Sequence, residues 1–179
     1  DKDVPTAPWR SAMTLPRELA LQGIKGQAWL CAPVAREVDA VFIPLSLPLP
    51  TGPVLKQDLG AVLADSGGRF RLRVCGQAKG SWALTLSNAA EDVWRLVYDA
   101  AVQQYWVDRS ASGLVDFHHA FAACHVAPRI SDAPETDVFL YADSASMETI
   151  ADGGLTCITS VVFPRAPWTQ MWVEGAVQV

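Results

Sequence analysis

The 179 residues suffice for one ordinary domain, because a chain of this size buries roughly 70% of its extended surface. Half of the residues are hydrophobic and 18% are charged, which excludes a disordered chain. The net charge is −5 with the 14 lysines and arginines scattered, which argues against a nucleic-acid partner, and no apolar run reaches the length of a membrane helix.

The opening Asp1-Lys2-Asp3-Val4 carries no apolar leader core, so an unprocessed secretory precursor is not expected. Met13 to Leu21 and Gln27 to Ala32 read as two strands around the turn Gly23-Ile24-Lys25-Gly26. Residues Val34 to Val41 have the helical character, with Arg36, Glu37 and Asp39 on one side. Pro44 to Pro53 holds four prolines and is expected to be an extended surface connector. Lys56 to Ala64 is mixed in pattern, and a turn at Asp65-Ser66-Gly67-Gly68 leads into a clearly alternating strand. There Phe70, Leu72 and Val74 point one way and Arg69, Arg71 and Arg73 the other.

The same rhythm continues through Trp82 to Ser87, Val93 to Tyr98 and Val102 to Val107. Asp137 to Ala142, Ser146 to Ile150, Leu155 to Phe163 and Pro167 to Glu174 complete the strand set. Ten or eleven strands, one short helix near residues 34–41 and no strand–helix alternation predict an all-β protein. The expected architecture is a two-sheet antiparallel β-sandwich of jelly-roll or lectin-like kind.

Little in the chain advertises chemistry. No GxSxG elbow is present. His118 and His119 are adjacent, so on a strand they face opposite ways and cannot chelate one metal; no metal or cofactor is expected. The cysteines Cys31, Cys75, Cys124 and Cys157 form no CxxC pair and read as buried thiols packing like small hydrophobes. Acids are plentiful but fall mostly at turns, where a carboxylate bonds its own backbone. A retaining glycosidase needs two carboxyls about 5–5.5 Å apart, and sequence alone neither finds nor excludes such a pair. Seven tryptophans against three tyrosines is the compositional oddity. Tryptophans in a sandwich fill the core or a domain seam, and Trp82, Trp94, Trp106 and Trp172 are the candidates for a sugar-stacking platform instead.

Several segments together resemble one family. Pro8-Trp9-Arg10 with Thr14-Leu15-Pro16-Arg17-Glu18-Leu19 resembles the PWR…TLPREL segment of the family 32 glycoside hydrolases, the invertases, inulinases and levanases. Val107-Asp108-Arg109-Ser110 with Ser112-Gly113 is similar to the family's vDRs.SG turn, and Phe117, Phe121, His125 and Pro128 keep the order of its next segment. Phe139 to Glu148 resembles iFvDrSsvEvF, Asp152-Gly153 the following nDG, and Thr159 to Pro164 TdliFP. Ser144 and Ile150 depart from the pattern, standing where the family has an arginine and an aromatic residue.

The resemblance implies a C-terminal portion: residues 1–25 as the tail of a catalytic five-bladed propeller and the passage out of it, residues 26–179 as the β-sandwich. The family's catalytic carboxylates lie in NDPNG, RDP and EC motifs, and this sequence contains no Asp-Pro and no Glu-Cys dipeptide. The chain alone is therefore expected to be catalytically silent, with no catalytic residue of its own. Its implied role is to stabilise the propeller of a β-fructofuranosidase; a fructan-binding module is the alternative. The propeller is the implied partner, with fructan oligosaccharide a second, and an extracellular or periplasmic location is favoured over the cytoplasm. Trp9 and Arg10 are expected to meet the propeller. Arg17 and Glu18 face opposite ways on a strand, so one can pair across the seam. Asp108, with Arg109 after it, and Asp143 are placed to accept backbone N–H groups of the turns that follow. Glu148 sits in an apolar hairpin and needs a cation, for which Arg17 and Arg109 are the candidates.

Overall fold

A computed structural model describes residues 4–6, 11–44, 54–63, 66–175 and 177–179. Its strands are β1 (Ala20–Ile24), β2 (Gln27–Cys31), β3 (Val54–Asp58), β4 (Phe70–Gln77), β5 (Trp82–Ser87), β6 (Val93–Asp99) and β7 (Gln104–Ala111). They continue as β8 (Cys124–Pro128), β9 (Glu135–Asp143), β10 (Ser146–Ala151), β11 (Thr156–Val161), β12 (Gln170–Glu174) and β13 (Val177–Gln178). Among the described residues the helical elements are short: a 3-10 turn over Arg36–Val41, one α-turn over Gly60–Leu63 and a 3-10 turn over Asp152–Gly154.

Two antiparallel sheets make the sandwich. One has five strands in the order β11-β10-β9-β4-β13, the other six in the order β3-β12-β5-β6-β7-β8. A separate two-stranded hairpin, β1-β2, stands outside both. The expected all-β sandwich is what the chain forms.

Alternation decides which side chains enter the core. On the six-stranded sheet Trp82, Leu84, Leu86, Trp94, Leu96, Tyr98, Tyr105 and Val107 point inward. They pack against Val74, Val138, Leu140, Ala142, Met147 and Ile158 of the five-stranded sheet. Each fully buried large apolar side chain contributes about 1.5–3 kcal/mol. Polar staples tie the two layers where side chains meet across the gap. Trp82 donates its indole N–H to Thr136 Oγ1 at 3.0 Å, and Thr156 donates its hydroxyl to the Pro128 carbonyl at 2.7 Å.

The structure departs from the sequence reading at the chain's irregular parts. Met13 to Leu19 forms no strand, only the isolated bridge Arg17–Val34. The hairpin turn is tightened to Lys25-Gly26, both in the left-handed region at φ 49° and 78°. Lys56 to Ala64 divides into β3 and the short helix because Asp58 accepts the Gly60 N–H at 2.7 Å and turns the chain. Strands β8 and β13 are additional to the strands read from the sequence: the edge position and proline of β8 hide its alternation, and β13 is too short to show any. Most of the proline-rich connector, residues 45–53, lies outside the described residues.

Candidate functional site

The sandwich has two outer faces. The N-terminal segment, residues 11–44, occupies one of them, and the contact is built around Glu148 on β10. Glu148 points outward from the five-stranded sheet yet its side chain is only 6% exposed. Arg17 Nη2 donates to Glu148 Oε2 at 2.5 Å and the Leu15 backbone N–H donates to Oε1 at 2.9 Å, so both carboxylate oxygens are used. Of the two candidate cations it is Arg17 that pairs. The same guanidinium reaches the Ala32 carbonyl at 3.1 Å and Cys157 Sγ at 3.4 Å. A carboxylate withdrawn this far from water is tolerable only with such partners.

Backbone bonds hold the segment together and tie it to the sandwich. Within it Glu18 N–H donates to the Pro33 carbonyl at 3.0 Å and Ala35 N–H to that of Pro16 at 2.8 Å, while Ala32 N–H reaches across to the Gly154 carbonyl at 3.0 Å. Gly154 sits at φ 83°, and a Cβ there would stand 2.3 Å from the Pro33 nitrogen, so only glycine lets the two segments approach. Further along, Arg71 bonds Asp39 and lies 5.0 Å from the Phe42 ring centroid, while Phe42 packs edge-on against Tyr141. Glu18, by contrast, faces away and is exposed.

The segment leaves many apolar side chains in the open. Among the described residues thirteen large hydrophobic side chains are exposed, and seven of them lie in residues 11–44: Met13, Leu19, Leu21, Trp29, Leu30, Val41 and Ile43. Leu21 and Leu30 pair on the outer face of the hairpin, whereas Trp29 shares the other face with the buried Ile24 and Cys31. A lone two-stranded hairpin is marginal in water, and an apolar patch of this kind marks a covered surface. Trp9 and Arg10 lie outside the described residues.

Asp143 accepts the Ser144 N–H at 2.7 Å as a turn-forming carboxylate, whereas Asp108 accepts the Ser110 N–H at 2.9 Å inside β7, where the register with β6 is irregular, so the turn expected to follow it does not arise there. Arg109 does not approach Glu148. Its Nη1 donates to the Val161 carbonyl at 3.0 Å and the guanidinium stacks 4.0 Å from the Phe121 centroid, where burial pulls its pKa down. Phe121 and Phe117 are 4.4 Å apart and both pack on Phe163. These rings anchor the long β7–β8 connection.

The tryptophans separate cleanly. Trp82 is 3% exposed and Trp94 0%, so neither offers a ring face to a sugar; their inward position in the strand alternation puts them in the core. Trp106 on β7 and Trp172 on β12 point the other way, onto the outer face of the six-stranded sheet, where Trp106 is 39% exposed.

Sequence reasoning missed two buried ionic networks. Arg129 pairs with Asp152 at 3.1 Å with both side chains at most 3% exposed, and Tyr105 donates its hydroxyl to the same carboxylate at 2.9 Å. Asp92, whose side chain is fully buried, accepts from Asn88 Nδ2 at 2.9 Å, from Arg165 N at 2.6 Å and from Arg165 Nε at 2.7 Å. Burial pushes the Asp92 pKa up, but these donors more than offset it and hold the group below the ordinary carboxylate value. Nothing local marks such pairs, because Arg165 lies 73 residues from Asp92 and Asp152 lies 23 from Arg129.

Every deeply buried carboxylate described thus has an arginine, which suits structural charge and not proton transfer. His118 and His119 sit in a loop with ring centroids 4.4 Å apart, so the opposed strand geometry expected for them does not arise. Among the described residues no three His, Cys, Asp or Glu side chains come together as metal ligands. The four cysteines are free thiols, but only Cys31 is buried; Cys124 and Cys157 are exposed because they fall on outward strand positions.

Comparison with known proteins decides the family. The profile described as glycosyl hydrolases family 32 C terminal matches residues 49–178. The chain belongs to that family. An extracellular exo-inulinase of Aspergillus niger is 30% identical over 90% of this chain and 31% of its own length. A putative glycosyl hydrolase of Aspergillus rugulosus is 34% identical over 96% of this chain and 26% of its own. The crystal structure of exo-inulinase from Aspergillus awamori superposes with a TM-score of 0.83 at 25% identity, covering 97% of this chain and 36% of that one. This family 32 C-terminal domain thus spans about a third of the length of the relatives it matches. No helix among its described residues is long and apolar enough to cross a membrane.

Proposed function

We propose that this domain is the non-catalytic sandwich of a β-fructofuranosidase and that it steadies the catalytic propeller of the same enzyme. The parent reaction is retaining hydrolysis of β-fructofuranosyl bonds in sucrose, inulin or levan by two carboxylates. One observation carries the reading: residues 11–44 are clamped to the sandwich through Arg17 and Glu148 while their other side presents Leu19, Leu21 and Leu30 to solvent. A segment fixed on one side and greasy on the other is a seam between two bodies. The propeller's tail ends near residue 25 in this reading, at the tip of the β1–β2 hairpin, and the sandwich domain runs over residues 26–179. Trp9 and Arg10 belong to the propeller side. The exo-inulinase relatives are named extracellular, and we place this protein outside the cell with them.

The test is co-expression of this chain with the N-terminal two thirds of the Aspergillus niger exo-inulinase. Co-purification, a raised thermal midpoint of the propeller and fructose release from inulin by the pair are expected, with none from this chain alone. A propeller whose stability and activity ignore the chain, or fructose release by the chain itself, would overturn the proposal.

A further inference from the structure

The outer face of the six-stranded sheet lies on the opposite side of the sandwich from the Arg17–Glu148 contact. The strand register lays out two rows across it. One row runs Lys56, Trp172, Thr85, Arg95 and Asp108 on β3, β12, β5, β6 and β7. The next runs Glu174, Ala83, Val97, Trp106 and Val126 from β12 to β8. Of the sandwich tryptophans, Trp82, Trp94 and Trp168 are buried, and the two that are not are both on this face. Three strand spacings and two residues of rise separate them by about 16 Å.

Between the tryptophans the floor is low, formed by Ala83 and Thr85. Arg95 Nη2 donates to Glu174 Oε2 at 3.2 Å across that floor, and both side chains are about half exposed. Lys56 Nζ lies 5.2 Å from the Trp172 centroid and must leave that face when another group stacks there. Both rings stand on strands of a paired sheet, so their positions are rigid.

We propose that this face binds a fructan chain, with Trp106 and Trp172 as two stacking platforms and Arg95, Glu174 and Asp108 as hydrogen-bonding groups between and beside them. A sugar ring offers an apolar C–H face to an indole and hydroxyls to charged groups, which is the combination laid out here. A protein partner fits less well, because the ion pair lies at the centre of the patch, where protein interfaces are depleted of charge and desolvation is costly. The separation of the rings demands a chain of several sugar units, so sucrose is too short to touch both. The choice of fructan among polysaccharides rests on the family reading above; the platform itself does not.

Affinity electrophoresis of the whole chain in gels containing inulin, levan or dextran tests this. Retardation by inulin or levan and not by dextran is expected, uncompeted by sucrose. Trp106→Ala and Trp172→Ala should each weaken it at least about tenfold, or 1.4 kcal/mol, while Trp106→Phe and Trp172→Phe retain most of it. Thermal melts establish that each variant is folded. No retardation in either fructan, equal retardation in dextran, or binding indifferent to both alanine variants overturns the proposal. So does self-association of the chain that Trp106→Ala abolishes without any fructan retardation. None of these outcomes touches co-purification with the propeller, which tests the scaffold reading separately.

Discussion

Replacing Arg17 by alanine tests the seam most directly. It would leave the Glu148 carboxylate, 6% exposed, with the Leu15 N–H as its one remaining donor among those described. Breaking a buried pair from one side costs about 3–5 kcal/mol. Arg17 itself retains 14% exposure, which places the cost at the lower end, about 3 kcal/mol. Because Arg17 anchors only residues 11–44, the loss should appear as undocking of that segment and not as melting of the sandwich. At 1.36 kcal/mol per decade, the amides of Ala32 and Ala35 should exchange with deuterium roughly 150-fold faster. Amides of β5, β6 and β7 should keep their protection. The double replacement Arg17→Met with Glu148→Leu removes both charges and should recover most of the loss, to within about 1 kcal/mol of the parent. Unchanged exchange at Ala32 and Ala35 in Arg17→Ala would refute the clamp. A double variant as damaged as the sum of its singles would do the same.

Other outcomes follow from single features. Gly113 lies at φ 122° with the space for a Cβ filled by the Phe163 carbonyl oxygen at 1.9 Å. Gly113→Ala should therefore cost about 2–4 kcal/mol in urea unfolding, and a loss under about 0.5 kcal/mol would contradict that packing. Trp82→Ala should lower stability by about 3–5 kcal/mol through an unfilled core cavity, where Trp106→Ala on the outer face should cost far less. Equal losses would contradict the burial of Trp82 and the exposure of Trp106. Asp92 has a native pKa below its unfolded value, so its contribution is present above about pH 4 and is lost as pH falls through the native value. Asp92→Asn should be less stable than the parent at pH 7, with the gap shrinking toward pH 3; a constant gap would refute the linkage.

Much of the sandwich was legible because half-buried strands write their burial into a period of two. Phe70, Leu72 and Val74 against Arg71 and Arg73 place β4 with one face in the core, and Trp82, Leu84 and Leu86 do the same for β5. The period told nothing about Met13 to Leu19, where the chain is held by the docked face of another sheet instead of a strand partner. It also left Trp82 and Trp106 alike as candidates, since only the direction of the alternation separates a core indole from a surface one.

The sequence by itself determined that this chain is an all-β sandwich of the family 32 C-terminal kind, because strand periodicity and ordered motifs are local properties of the chain. Tertiary structure alone decided that Glu148 pairs with Arg17 across 131 residues and that Asp152 pairs with Arg129. It alone decided that Trp106 and Trp172, far apart in sequence, share one open face. The reason is that a charge or a ring carries no record of its partner; strand order and register choose it when the sheets form.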